Sequence, residues 1–150
     1  MILLFKYKGY SILGKDLSEF MLDILGKNEE IWWGVDALIP VPLHPKRKSE
    51  RGFNQAMVLA RELAKGKGMY VMKRNLIRIN YRPPQTLVEA PDREKNIRGA
   101  FAVKRESEIK DKTLLLVDDV YTTGATLKEC GHELIKAGAK EVRAITLAQA

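Results

Sequence analysis

Thirteen consecutive residues, Leu114-Leu-Leu-Val-Asp-Asp-Val-Tyr-Thr-Thr-Gly-Ala-Thr126, concentrate more chemistry than any other stretch of this chain. Four apolar residues lead into two adjacent carboxylates, Asp118 and Asp119, and then into a turn of small and hydroxyl-bearing residues. The apolar run reads as a buried strand and the residues from Thr126 onward as a helix. In parallel α/β sheets, ligands bind beyond the carboxyl ends of the strands. A helix start offers unpaired backbone N–H groups and the positive end of a dipole, so an anion is favoured there. Gly124 permits close backbone approach, and Thr122, Thr123 and Thr126 add hydroxyls. The carboxylates would repel a phosphate. They call for sugar hydroxyls, a metal or metal-bound water, or a reacting cation. A plainer alternative is a corner in which the acids cap the helix and the threonines bond locally.

A second group of residues complements an anion. The broken segment Pro40-Val-Pro-Leu-His-Pro45 is followed by Lys46, Arg47, Lys48 and Arg51. Charge-assisted hydrogen bonds to phosphate oxygens are strong, and Arg makes them in pairs. Arg51, just ahead of Gly52 and the Phe53-Asn-Gln helix start, is the better candidate; at least one of residues 46–48 belongs to a solvated turn. Residues 46–105 hold 16 Lys and Arg against 5 Asp and Glu, whereas the flanks together hold 10 against 14. A basic middle between acidic flanks fits a polyphosphate or nucleic acid, unless the charges merely decorate solvated faces. His44 is a further candidate contact. His132 reads as surface or boundary, and Cys130 as a packed apolar residue. Trp32 and Trp33 read as a cover for the core or a neighbouring hood, with base stacking as the alternative.

The elements that must position these groups follow from periodicity. Leu17, Phe20, Met21, Ile24 and Leu25 share one helical face, with Asp16 and Glu19 in capping-box positions. Residues 35–41 read as a buried strand. Ala56, Leu59, Ala60, Leu63 and Ala64 mark a second helix, and a short strand is expected around Met69–Met72. Residues 80–98, with two prolines and no sustained period, read as a long loop with room for a hairpin or short helix. Thr113–Val117 has the signature of a central parallel strand. Thr126–Ala137 is expected as a helix with Leu127, Cys130, Leu134 and Ile135 inward, ended by Gly138. Val142–Leu147 is the last strand. This order predicts one α/β domain with a mainly parallel sheet over the 150 residues. No apolar run is long enough to cross a bilayer, the start lacks the form of a signal peptide, and one cysteine excludes an internal disulfide, so a cytoplasmic location is expected.

The segment 114–126 resembles the 5-phosphoribosyl-1-pyrophosphate (PRPP) signature of type I phosphoribosyltransferases. Four further segments resemble the ComF family of competence-associated, phosphoribosyltransferase-like proteins: Phe5-Lys-Tyr-Lys-Gly9, Ile39-Pro-Val-Pro-Leu-His-Pro45, Arg51-Gly-Phe-Asn-Gln55, and Arg93 with Asn96 and Gly99-Ala-Phe101. Together they cover nearly the whole chain in the family's order. The resemblance implies a type I phosphoribosyltransferase fold, with a small N-terminal hood over about residues 1–30 and a flexible loop over about 80–98.

It further implies that Asp118 and Asp119 hold the ribose hydroxyls and serve as the catalytic pair. Tyr121, Thr122, Thr123, Gly124, Ala125 and Thr126 would hold the 5′-phosphate. Val41, Pro42, Leu43, His44 and Arg51, joined by Arg82, Arg93 and Arg98 of the flexible loop, would face the pyrophosphate. The implied cofactor is Mg²⁺, carried by PRPP rather than caged by the protein. The acceptor is left open between classes such as a nucleobase or an amine, as are single-stranded DNA, competence proteins and a second copy of the chain as partners. Longer members carry a cysteine-rich zinc ribbon ahead of this region. With one cysteine, the expectation is that this module's role is absent or supplied by another chain.

Overall fold

The longest apolar run lies at the centre of the molecule. In the computed structural model, which describes residues 19–23, 29–80 and 97–149, strand β4 (Thr113–Tyr121) is flanked by two parallel partners. On one side is β1 (Ala37–Pro40), in register from Ala37 opposite Leu114 to Pro40 opposite Val117. On the other is β5 (Glu141–Gln149), in register from Thr113 opposite Glu141 to Tyr121 opposite Gln149. Leu114, Leu115, Leu116 and Val117 are all buried, so β4 shows no polar alternation and is covered on both faces.

The covers are two helices. Helix α2 (Gln55–Lys67) packs on β1 and β4 through Ala56, Leu59, Ala60, Leu63 and Ala64, the amphipathic face anticipated from spacing. Helix α3 (Ala125–Lys136) packs on β5 and on β3 (Phe101–Val103) from the opposite side. Cys130 and Leu134 are buried as expected, but Ile135 is 51% exposed. One residue beyond Leu134 turns a side chain about 100° around the helix, which takes Ile135 off the contact line. The same rotation separates Met21, 5% exposed, from Phe20, 59% exposed, within helical residues 19–23. Leu17, Ile24 and Leu25 lie outside the described residues.

Two short elements depart from the sequence reading. Residues 46–48 belong to a seven-residue helix, α1 (Pro45–Arg51), started by Pro45 and ended by Gly52 in the left-handed region. Residues 69–72 make no full strand. Val71 forms a single parallel bridge to Leu38, through Leu38 N–H to Tyr70 and Met72 N–H to Leu38. The chain then leaves the sheet for β2 (Leu76–Arg78), which pairs antiparallel with β3. This hairpin brackets the expected loop rather than lying inside it, and residues 81–96 lie outside the described residues. The core divides into a cluster around Ile39, Leu114, Leu116, Phe101 and Leu134 and another around Leu38, Leu59, Leu63, Leu115 and Val117. Trp32 packs against the second cluster, with the Lys67 ammonium 5.2 Å from its ring centroid, whereas Trp33 is 64% exposed. No described helix is long and apolar enough to cross a membrane.

Candidate functional site

Asp118 and Asp119 stand within β4, not after it. The strand runs on to Tyr121 because β5 continues to pair with it, Asp118 opposite Thr146 and Val120 opposite Ala148. Adjacent strand residues point to opposite faces. Asp118 therefore follows Leu114 and Leu116 toward the α3 side, and Asp119 follows Leu115 and Val117 toward the α2 side. Electrostatics agree: burial first, and the Asp118 carboxylate second, push the Cys130 thiol far above its ordinary range. Asp118 Oδ1 accepts the Asp119 N–H at 2.9 Å, which steadies the pair within the last stretch of the strand's pairing with β5. Both residues are half-buried, with Asp119 Oδ2 buried.

The turn beyond them is shaped by Gly124. It caps α3 with φ +74°, a conformation that costs other L-residues energy. A Cβ built there would lie 2.7 Å from the Tyr121 hydroxyl, so the tyrosine ring folds over the glycine. Thr123 Oγ1 accepts the Ala125 N–H at 3.4 Å, and Gly124 and Ala125 are buried while Tyr121 and Thr122 are exposed. The first turn of α3 thus faces the carboxyl edge of the sheet with N–H donors that have no intrahelical acceptor.

The Val41–Pro45 segment sits beside this turn because β1 and β4 are parallel neighbours. Val41 N–H donates to Val117 at 2.9 Å, and the Asn54 side chain donates to the Val41 carbonyl at 3.0 Å. Asn54, which the sequence reading left without a role, ties the segment to the start of α2. His44 caps α1: its Nδ1 accepts the Lys46 N–H at 3.3 Å and its carbonyl the Lys48 N–H at 3.0 Å. Arg51 ends α1, and its side chain and that of Arg47 lie outside the description, as do Arg82 and Arg93 entirely. Arg98 is exposed at the base of the hairpin. Next to it, Gly99 donates its N–H to Glu129 Oε1 of α3 at 2.6 Å, and Asn80 donates to the Gly99 carbonyl at 3.1 Å. The fold therefore assembles the acidic pair, the α3 turn and Val41–Pro45 along one edge and links the Arg98 region to α3. His132 stays exposed on α3, away from that edge.

Among the described residues, no group of three or more His, Cys, Asp and Glu side chains is placed to hold a metal ion. Asp118 and Asp119 are the carboxylates this edge offers, which fits a cation that arrives largely coordinated by phosphate and water. A groove of about 500 Å³ opens beside Pro42 and Leu43, with Arg61, Lys73, Arg74 and Lys104 among its lining residues and no acidic one. The basic middle of the sequence was the only sign of it.

Comparisons with known proteins bear on the family and the fold. Residues 23–150 match the phosphoribosyl transferase domain. Competence protein F of Haemophilus influenzae is 35% identical over 116 residues, 77% of this chain and 51% of that protein. Competence protein ComFC of Streptococcus pneumoniae is 32% identical over 146 residues, 95% of this chain and 59% of that protein. The chain thus spans a little over half the length of these relatives. Among solved structures, an adenine phosphoribosyltransferase aligns over 92% of this chain and 70% of its own at TM-score 0.57 and 12% identity. The PRPP amidotransferase of B. subtilis aligns over 91% of this chain and 25% of its own at TM-score 0.55 and 22% identity. At such identities the likeness shows the fold alone, which is the type I phosphoribosyltransferase fold. Taken with the domain match, these relatives show that the chain belongs to the phosphoribosyl transferase domain family and, within it, to the ComF proteins.

Proposed function

We propose that the chain binds PRPP at the carboxyl edge of β1 and β4 and transfers its phosphoribosyl group to an acceptor, releasing pyrophosphate. One observation carries the reading: the acidic pair and the Gly124-capped start of α3 stand directly beside the Val41–Pro45 segment that Asn54 and Val117 hold in place. Each part of PRPP then meets a suitable group. The 5′-phosphate takes the α3 turn, Tyr121 to Thr126, with its N–H donors and hydroxyls. The ribose 2′- and 3′-hydroxyls donate to Asp118 and Asp119. The pyrophosphate faces Val41, Pro42, Leu43 and His44, with Arg51, Arg82, Arg93 and Arg98 as candidate cationic partners.

In the reaction the bond from C1 of the ribose to pyrophosphate breaks as the acceptor forms its own bond to C1. Positive charge grows on the sugar in the transition state, and Asp118 and Asp119 orient the ring and stabilise that charge. Holding sugar and leaving group in one geometry supplies much of the rate. Preorganised donors at the leaving group supply the rest. Mg²⁺, when carried in on the pyrophosphate, would neutralise part of its charge, and Asp118 and Asp119 are the residues that would reach it through water. The acceptor is a nucleobase or an amine.

Calorimetric titration with PRPP and Mg²⁺, together with a pyrophosphate-release assay over a panel of bases and amines, tests the proposal. Binding is expected for the native chain, and the Asp118→Asn/Asp119→Asn double variant should lose at least about tenfold in affinity, roughly 1.4 kcal/mol. Failure of the native chain to bind PRPP would sink it. Binding without pyrophosphate release from any acceptor would favour a second reading, a non-catalytic PRPP-binding regulator or single-stranded-DNA-handling protein. That reading is supported by the relatives' names, including the DNA utilization protein YhgH of Escherichia coli, 31% identical over 108 residues, 72% of this chain and 47% of that protein.

A further inference from the structure

The groove adjoins the acidic edge without sharing its carboxylates: Pro42, Leu43 and Pro45 of the pyrophosphate segment form its near wall, and none of Asp118 to Thr126 lines it. It is two-faced. Leu43, Phe53, Met57 and Ile77 give it apolar lining, while Lys48, Arg61, Lys73, Arg74 and Lys104 bring positive charge from four different parts of the chain, beside a half-buried Arg78. No Asp or Glu lines it, and among the described residues none of these five is engaged in a salt bridge. All five are exposed. Cations gathered around one groove with no acidic lining residue raise a local potential that favours an anion.

Part of this rim is built on a buried support. Asn75 is 0% exposed and lies next to Arg74. Its Oδ1 accepts the N–H groups of Lys104 at 3.1 Å and Arg105 at 2.8 Å, and its Nδ2 donates to the Arg105 carbonyl at 2.9 Å. One buried amide therefore fixes the backbone of the Lys73–Arg74 segment against that of the Lys104 segment, which keeps all three residues on the groove's rim. The groove's volume of about 500 Å³ suits a single small organic ligand.

We propose that this groove binds a nucleoside phosphate as a second ligand distinct from PRPP, the flat base on the apolar lining and the phosphates on the Arg and Lys rim. Guanidinium groups serve both parts, since they pair with phosphate oxygens bidentately and stack on planar rings. A free nucleotide and a single-stranded nucleic acid present the same chemistry. The length of the ligand separates them.

The test uses the full chain, with saturating PRPP and Mg²⁺ present, titrated with ATP and separately with a short oligodeoxythymidylate at several salt concentrations. At least one should bind, and binding should weaken as salt rises. Arg61→Glu with Lys104→Glu, both exposed and on different walls, should weaken it about tenfold or more while leaving PRPP affinity unchanged. Lys73→Gln with Arg74→Gln should weaken it as well, and thermal melts verify that both variants are folded. Binding of ATP alone assigns the groove to a free nucleotide. Binding of the oligonucleotide alone, or far more tightly, assigns it to a strand. The proposal is overturned if neither probe binds at low salt, if both double variants bind like the native chain, or if PRPP displaces the probe. Should PRPP itself fail to bind, the assignment of the acidic edge falls, yet the charge variants still report on the groove.

Discussion

Gly124 shows how much one residue can carry. Its φ of +74° and the Tyr121 ring lying over it leave no room for a side chain without movement. Gly124→Ala should destabilise the fold by about 1–2 kcal/mol, the cost of a left-handed L-residue with some added displacement. PRPP affinity should fall further than stability does, because Tyr121 and the first turn of α3 must shift together. Comparing the denaturation midpoint with the titration isolates the two effects; equal losses would mean that the turn has no part in binding. Cys130 is the opposite case. Fully buried and with its thiol pushed far up by burial and by Asp118, it should resist alkylation at pH 8 until the protein unfolds. Mass spectrometry after iodoacetamide, with and without denaturant, would show this.

Among the elements, the connections matter more than the helices and strands they join. Asn54 ties Val41 to α2, and Asn75 ties the start of the β2–β3 hairpin to its end. Asn75→Ala leaves the Arg105 N–H without its acceptor and should cost about 1–3 kcal/mol in chemical denaturation. Asn54→Ala releases a half-buried carbonyl and should cost about 1 kcal/mol. Its larger effect should be on pyrophosphate release, because the Val41–Pro45 segment loses its anchor. Gln55 reads differently. It is 2% exposed and its Nε2 has no hydrogen-bond partner among the described residues, so Gln55→Met should leave the melting temperature unchanged or raise it.

At the scale of the whole molecule, the parallel pairing of β1 with β4 is decisive. It sets Val41 beside Val117 and so brings residues more than seventy positions apart to one edge. The Glu129–Gly99 contact then joins α3 to the hairpin base. Glu129→Ala should weaken PRPP binding while the fold stays intact by circular dichroism, since the contact lies at the surface and couples two binding regions rather than filling the core. An unchanged affinity would show that the hairpin base works independently of α3.

The amino-acid sequence by itself determined the features written in local order. The unbroken apolar run before Asp118, the helical spacing from Ala56 to Ala64, and the acid, threonine and glycine succession after Val117 are each legible because neighbours in the chain remain neighbours in the element. The ComF motifs placed most of the candidate site for the same reason. Tertiary structure decided the rest. Strands of three residues such as β2 and β3 carry too few side chains to show a period, so the hairpin they form on either side of the expected loop was not legible. Phe20 and Ile135 sit beside buried positions, and only the angle of packing turned them outward. The acidic pair was expected after its strand, but pairing with β5 drew it into β4 and set its members on opposite faces. The groove draws its charge from residues 48, 61, 73, 74, 78 and 104, and no local pattern announces that such distant cations meet. Convergence of that kind is a property of the folded chain alone.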